Sequence, residues 1–160
     1  GQTNYVDWTT PRGIGVIAVD DGASPAILAS MAFGSLLAGN GVVVSVSQGH
    51  RPFAETLAKV LWQSGVPKNV LALALQGTTP QVLASGPVHF AAVDLAEQDV
   101  QAVYRVLGMT DEARGQQWLK ALISMDDGPR PGEAGFLRMF AHPKTVSIRT
   151  LRHGADLKLI

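Results

Sequence analysis

Short apolar runs alternate along this chain with longer stretches whose apolar positions recur at helical spacing. "RGIGVIAVDD", Arg12 to Asp21, is rich in Val and Ile and predicts a strand buried on both faces. "SPAILASMAFGSLLAGNG" follows, with Ser24 placed to cap a helix, Pro25 at its first position and Gly39 at its end. "GVVVSVS" predicts a second buried strand. "RPFAETLAKVLWQSGV" predicts a second helix through Phe53, Leu57, Val60 and Leu61, stopped by Gly65 and Pro67. Asn69 to Leu75 reads as a third strand, the segment after Thr79 as a short helix, Val88 to Leu95 as a fourth strand, and Glu97 to Leu107 as a helix. Trp118 to Met125 suits either a fifth strand or the end of a helix. Asp126 to Gly135 is loop by its Pro and Gly content, and Phe136 to Phe140 a helical turn. "KTVSIRTL", Lys144 to Leu151, alternates apolar with polar and is β-branched, which predicts a half-exposed strand.

Strands and helices in alternation over short connections imply βαβ units. The fold class is therefore α/β: a Rossmann-like parallel sheet with helices on both faces. The last strand is two-faced, so it does not belong at the centre of that sheet. It reads as a protruding or docking strand at the C-terminus. Residues 1–142 are expected to form the domain, and residues 143–160 the strand and tail that dock.

Composition narrows the function. The chain has 160 residues, enough for one domain with a real core. Thirteen basic residues balance thirteen acidic ones, which argues against a nucleic-acid module or a polybasic membrane patch. No apolar run reaches the length of a membrane span. The absence of cysteine removes disulfides, thiolate metal sites and a cysteine nucleophile, and fits a reducing compartment. "GQTNYVDW" is neither a signal peptide nor a translation start, so the chain is expected to be cut from something larger.

Few side chains offer chemistry. Gly13 and Gly15 stand at the start of their strand, where a dinucleotide loop would need them at its end. Asp20, Asp21 and Gly22 fall on the ligand-binding edge of an open α/β sheet, but a carboxylate there repels phosphate. Ser45, Ser47 and Gln48 end the second strand and could hydrogen-bond a ribose without supplying charge. His50, His89, His142 and His153 form no metal-ligand pair at helical spacing, and no serine lies in a G-x-S-x-G elbow. An enzyme built on Asp20, Asp21 or His50 would need a pocket joining them. The tail interleaves Arg149, Arg152 and Lys158 with Val146, Ile148, Leu151, Leu157 and Leu159, and this apolar content predicts docking on its own domain or on a neighbour.

"PRGIGVIAVDDGASPA" followed by "LLAGNGVVVSVSQ" resembles the dinucleotide-binding half of the aldehyde dehydrogenase superfamily. Working members carry an asparagine of the oxyanion hole in the turn after the first strand, where this chain has Ala23. They hold the adenosine ribose with a lysine and a glutamate after the second strand, where Ser45 and Gln48 stand here. The catalytic cysteine is excluded, and "VDLAEQD" replaces the glycine-rich turn after the fourth strand. The opening "GQTNYVDW", the run "PRGIGVIAVDD", "LLAGNGVVV" and the closing "FLRMFAHPKTVSIRTLRHGADLKLI" are similar to the C-terminal domain of the proline utilization A family. Those bifunctional bacterial enzymes join proline dehydrogenase to L-glutamate γ-semialdehyde dehydrogenase. The resemblance implies a non-catalytic structural domain covering the dehydrogenase unit and its substrate tunnel, with no cofactor of its own. The parent would use FAD and NAD in the cytoplasm or on the inner membrane face. Partners would be other domains of that parent, or a second subunit, engaged through Val146, Ile148, Arg149, Leu151 and Leu157. The competing expectation is an NAD-like nucleotide on Ser45 and Gln48.

Overall fold

The computed structural model describes residues 2–74, 79–84, 86–108, 121–125 and 128–149. Five parallel strands form the main sheet: β2 (Ile14–Val19), β3 (Gly41–Val46), β4 (Leu71–Ala74), β5 (Phe90–Asp94) and β6 (Ala121–Ser124). Their spatial order is β4-β3-β2-β5-β6. β2 is therefore central, with β3 on one side and β5 on the other, and the direction of winding reverses beside it. The crevice beyond the carboxyl ends of strands at such a reversal is where open α/β sheets bind ligands.

Helices α1 (Pro25–Leu37), α2 (Arg51–Gln63), α3 (Thr79–Ala84) and α4 (Glu97–Gly108) connect the strands. Alternation along β2 assigns them to opposite faces. Ile17 and Val19 bury against Leu28 and Met31 of α1 and Ala54, Ala58 and Leu61 of α2. Val16 and Ala18 bury on the other side with Leu83 of α3 and Val103 of α4. Helices thus cover both faces, as the strand pattern predicts. Val60 of α2 lies exposed, because the buried stripe of this helix runs through the two alanines and Leu61.

Local chemistry starts and stops α1. Ser24 Oγ accepts from the Ala26 N–H at 3.2 Å, and Pro25 occupies the first turn. Gly39 takes a φ of 82°, which suits glycine and turns the chain into β3. Asn40, next to it, is buried. Its Oδ1 accepts from the Gly13 N–H at 2.9 Å, and its Nδ2 donates to the carbonyls of Ser35 (3.1 Å) and Phe140 (2.8 Å). One side chain thereby ties the end of α1, the entry to β2 and a 3₁₀ turn at Phe136–Phe140. That turn packs into the α1 face, with the Phe136 and Phe140 rings edge to face at 5.2 Å. Gly34 permits the approach: a Cβ there would lie 2.6 Å from the Phe140 ring.

A second, two-stranded sheet stands apart from the first. β1 (Gln2–Pro11) pairs antiparallel with β7 (Ala141–Arg149), from Pro11↔Ala141 at the body to Gln2↔Arg149 at the far end. The terminal strand lies outside the main sheet, as its two-faced pattern implies. Its partner is the chain's own N-terminal segment, which the sequence pattern left unassigned. Arg12 sits at the root of this ribbon, with Nε donating to the Met139 carbonyl at 2.9 Å.

Candidate functional site

At the carboxyl ends of β2 and β5 a carboxylate of the chain itself takes up the backbone donors. β2 delivers Asp20 to the turn before α1. Asp20 Oδ1 accepts from the N–H groups of Gly22 (2.9 Å) and Ala23 (3.0 Å), and Oδ2 accepts from the N–H of Ala96 (3.1 Å). Ala96 directly precedes α4, so one carboxylate takes up a backbone donor from each side of the crevice. In nucleotide-binding α/β folds, backbone donors at this edge receive phosphate. Here they receive Asp20. The first turn of α4 adds Glu97 and Asp99, which suit the helix dipole and add negative charge where a phosphate would need positive charge.

The end of β3 is bonded internally in the same way. Ser47 Oγ donates to Asp21 Oδ1. Gly49 makes room for that carboxylate, since a Cβ at Gly49 would fall 2.5 Å from the same oxygen. Ser45 is buried and its hydroxyl hydrogen-bonds the Thr79 hydroxyl at 3.1 Å, across to α3. Gln48 is exposed in the turn. His50, just before α2, is buried, and its Nε2 donates to the Ala23 carbonyl at 2.9 Å. That bond leaves Nδ1 without a partner among the described residues. Ala23 is thus held on both sides, its N–H by Asp20 and its carbonyl by His50.

The structure therefore brings together Asp20, Asp21, Ala23, Ser47 and His50, with Ser45 and Gln48 at the margin. All were legible as candidates, but their roles differ from those a catalytic centre would need. Both Asp20 oxygens hold backbone, Asp21 holds Ser47, and His50 holds Ala23. His89 likewise serves the fold, its Nδ1 accepting from the Ile14 N–H at 3.0 Å. The bond from Asp20 to Ala96 spans 76 residues and gave no sequence signal. Nor did the three-way tie at Asn40. Among the described residues no group of three or more His, Cys, Asp or Glu side chains is arranged to hold a metal ion, and no helix is long and apolar enough to cross a membrane.

The tail candidates stand elsewhere. Val146, Ile148 and Arg149 occupy β7, opposite Tyr5, Thr3 and Gln2. Leu151 and Leu157 lie outside the described residues.

No protein-family model and no curated protein matches this sequence. Solved structures do match. Proline utilization A from Bdellovibrio bacteriovorus, inactivated by N-propargylglycine, aligns with a TM-score of 0.67 and 20% identity, over 78% of this chain and 13% of that one. A mutant of proline utilization A from Bradyrhizobium japonicum aligns with a TM-score of 0.63 and 20% identity, over 77% of this chain and 12% of the other. Succinate-semialdehyde dehydrogenase from Burkholderia pseudomallei gives 0.57 and 19%, over 66% of this chain and 22% of that enzyme. The fold is similar to that of a part of these proline utilization A and aldehyde dehydrogenase structures. This chain spans only a small part of the length of each of those proteins.

Against that fold, the fit of NAD can be judged from the residues present. Ser45 is spent on Thr79 and Gln48 is uncharged, so neither side chain brings charge to an adenosine ribose. The Ala96 donor at the switch point is occupied, and the nearby acidic groups Asp20, Asp21, Glu97 and Asp99 would oppose a pyrophosphate. These residues do not fit the cofactor.

Proposed function

We propose that this chain is a non-catalytic structural module of a proline utilization A-like bifunctional enzyme, covering the dehydrogenase unit and its substrate tunnel. The observation that carries the reading is Asp20. A fold of this shape whose backbone donors are taken by its own carboxylate supports a structural role rather than nucleotide binding. Fold does not fix function, so the reading rests on that site rather than on likeness alone.

The ribbon supports the same role. Among the described residues β1 and β7 form a two-stranded sheet with no further strand paired to either edge, and Tyr5 and Val6 are exposed on it. A two-stranded ribbon is at best marginally stable in water, and its edges invite a third strand or a covering surface. A neighbouring β element, from another domain of the parent or from a second subunit, is the partner of matching chemistry. Val146, Ile148 and Arg149 lie on the strand that would meet it.

Two experiments test the proposal. An immunoblot of source cells with an antibody to this chain should detect a polypeptide far longer than 160 residues. Deleting the module from that polypeptide should impair assembly or the coupled oxidation of proline to glutamate. A native product of this chain's own size, or a truncated parent that assembles and couples its two reactions normally, defeats the reading.

A further inference from the structure

Asn40 ties the end of α1 to β2 and to the 3₁₀ turn, and the residue after it is glycine. That dipeptide carries a reactivity of its own. In an open chain the backbone nitrogen of a glycine reaches the side-chain amide carbon of the asparagine before it, because no Cβ crowds the approach. The other two asparagines precede Tyr5 and Val70, whose side chains hinder the same step.

The folded structure withholds each requirement of that reaction. Asn40 is 1% exposed, so water is kept from it. Its Oδ1 is held by the Gly13 N–H at 2.9 Å, and its Nδ2, the nitrogen that would leave, by the carbonyls of Ser35 and Phe140. The attacking nitrogen is engaged as well, since the Gly41 N–H donates to the Gly13 carbonyl at 3.0 Å. Gly41 is further fixed opposite Ile14 at the head of β3.

We propose that Asn40–Gly41 is a spontaneous modification site gated by folding: it reacts when this corner of the molecule opens, and the product prevents the corner from closing. In the open chain the Gly41 nitrogen bonds to Asn40 Cγ as the Cγ–Nδ2 bond breaks, and ammonia leaves with the Gly41 amide proton. Water then opens the cyclic imide. Opening at Cγ leaves aspartate, and opening at the main-chain carbonyl leaves isoaspartate. Neither product rebuilds the tie. Each puts a carboxylate where the amide stood, facing the Ser35 and Phe140 carbonyls that are now bridged by N–H groups at 3.1 and 2.8 Å. A buried charge with one donor, from Gly13, and two opposed acceptors is strongly disfavoured. Isoaspartate also adds a carbon to the main chain just ahead of β3 and displaces Gly41 from Ile14. Opening of this corner thereby turns from a reversible event into an irreversible one, whatever larger protein carries the chain.

Peptide mapping by mass spectrometry on the 160-residue chain is the test, after incubation in mildly alkaline buffer with and without denaturing guanidinium chloride. The mass gain that marks an amide turned carboxylate should accumulate at Asn40 in denaturant, and at least ~100-fold more slowly in native buffer. On dilution from denaturant, the recovered circular dichroism signal should fall in step with the modified fraction. Gly41→Ala is the discriminating variant. A Cβ there meets Ile14 and the Val70 carbonyl at 3.6 and 3.9 Å, which is ordinary contact, so the variant should fold as the parent does. Its methyl group crowds the attacking nitrogen, so it should keep the amide in denaturant and refold after the same incubation. Asn40→Asp should show the lesion without incubation, as a lowered denaturation midpoint. Equal modification rates in folded and unfolded chain would overturn the gating, and an Asn40→Asp variant as stable as the parent would overturn the lock. A loss of refolding that proceeds equally in Gly41→Ala would also defeat the proposal, placing the damage elsewhere, such as at Asp21–Gly22, where isomerisation leaves the mass unchanged.

Discussion

Asp20→Ala is the substitution that bears most directly on the crevice. It removes the acceptor for three backbone donors at once: Gly22 and Ala23 at the start of α1, and Ala96 at the start of α4. Hydrogen bonds contribute about 0.5–1.5 kcal/mol net each, and more when an ionised group takes part. Asp20 is only partly buried, so water can reach part of the vacated site and the lower half of that range applies. The expected loss is about 1.5–3 kcal/mol, which for a domain of this length lowers the thermal midpoint by about 3–12 °C. Asp20→Asn is the informative control. Its carbonyl can keep Gly22 and Ala23, but its amide presents a donor to the Ala96 N–H, so the loss falls to about 1 kcal/mol. Urea denaturation followed by circular dichroism measures both, with calorimetric scans for the midpoints. An Asp20→Ala variant within ~0.5 kcal/mol of the parent would refute the reasoning. It would mean that the carboxylate does not hold these donors.

Two further substitutions test how the frame is tied together. Asn40→Ala leaves the Gly13 N–H and the Phe140 carbonyl without partners in a buried site, and should cost about 3–4 kcal/mol by urea denaturation. A loss under ~1 kcal/mol would show that the three-way tie is not needed. Gly34→Ala places a methyl 2.6 Å from the Phe140 ring, for an overpacking cost of about 1–3 kcal/mol. Combined with Phe140→Leu, the total loss should be smaller than the sum of the two single losses, and simple additivity would contradict the contact.

Most of the main sheet was legible because each of its strands is a short apolar run closed by Gly, Pro or a capping residue. "GVVVSVS" and "RGIGVIAVDD" are buried on both faces, and that leaves a signal that needs no knowledge of partners. β1 was not legible. "QTNYVDWTTP" belongs to a ribbon outside the main sheet, and its pairing partner β7 lies more than a hundred residues away. The fifth strand was ambiguous because an apolar run as short as "ALIS" fits a helix end equally well, and only pairing with β5 resolves it. At the crevice, the residue types were visible and so was the mismatch between Asp20 and phosphate. The local turn could be anticipated too, since an aspartate two residues before a glycine favours one. What the sequence could not carry was the third bond. Ala96 offers only a backbone N–H, and every residue type except proline has one. Asn40 illustrates the same limit: an asparagine after a helix-ending glycine looks like turn chemistry, and its burial depends on Phe140 arriving a hundred residues later.

The central proposal is that Asp20 takes the backbone donors that a dinucleotide would use in this fold. Isothermal titration of NAD into the chain, up to millimolar ligand, tests it most directly. With Asp20 on the Ala96 donor and Ser45 spent on Thr79, the heats should stay flat across the titration. A saturable isotherm with a micromolar dissociation constant would contradict the account and restore the nucleotide-binding reading.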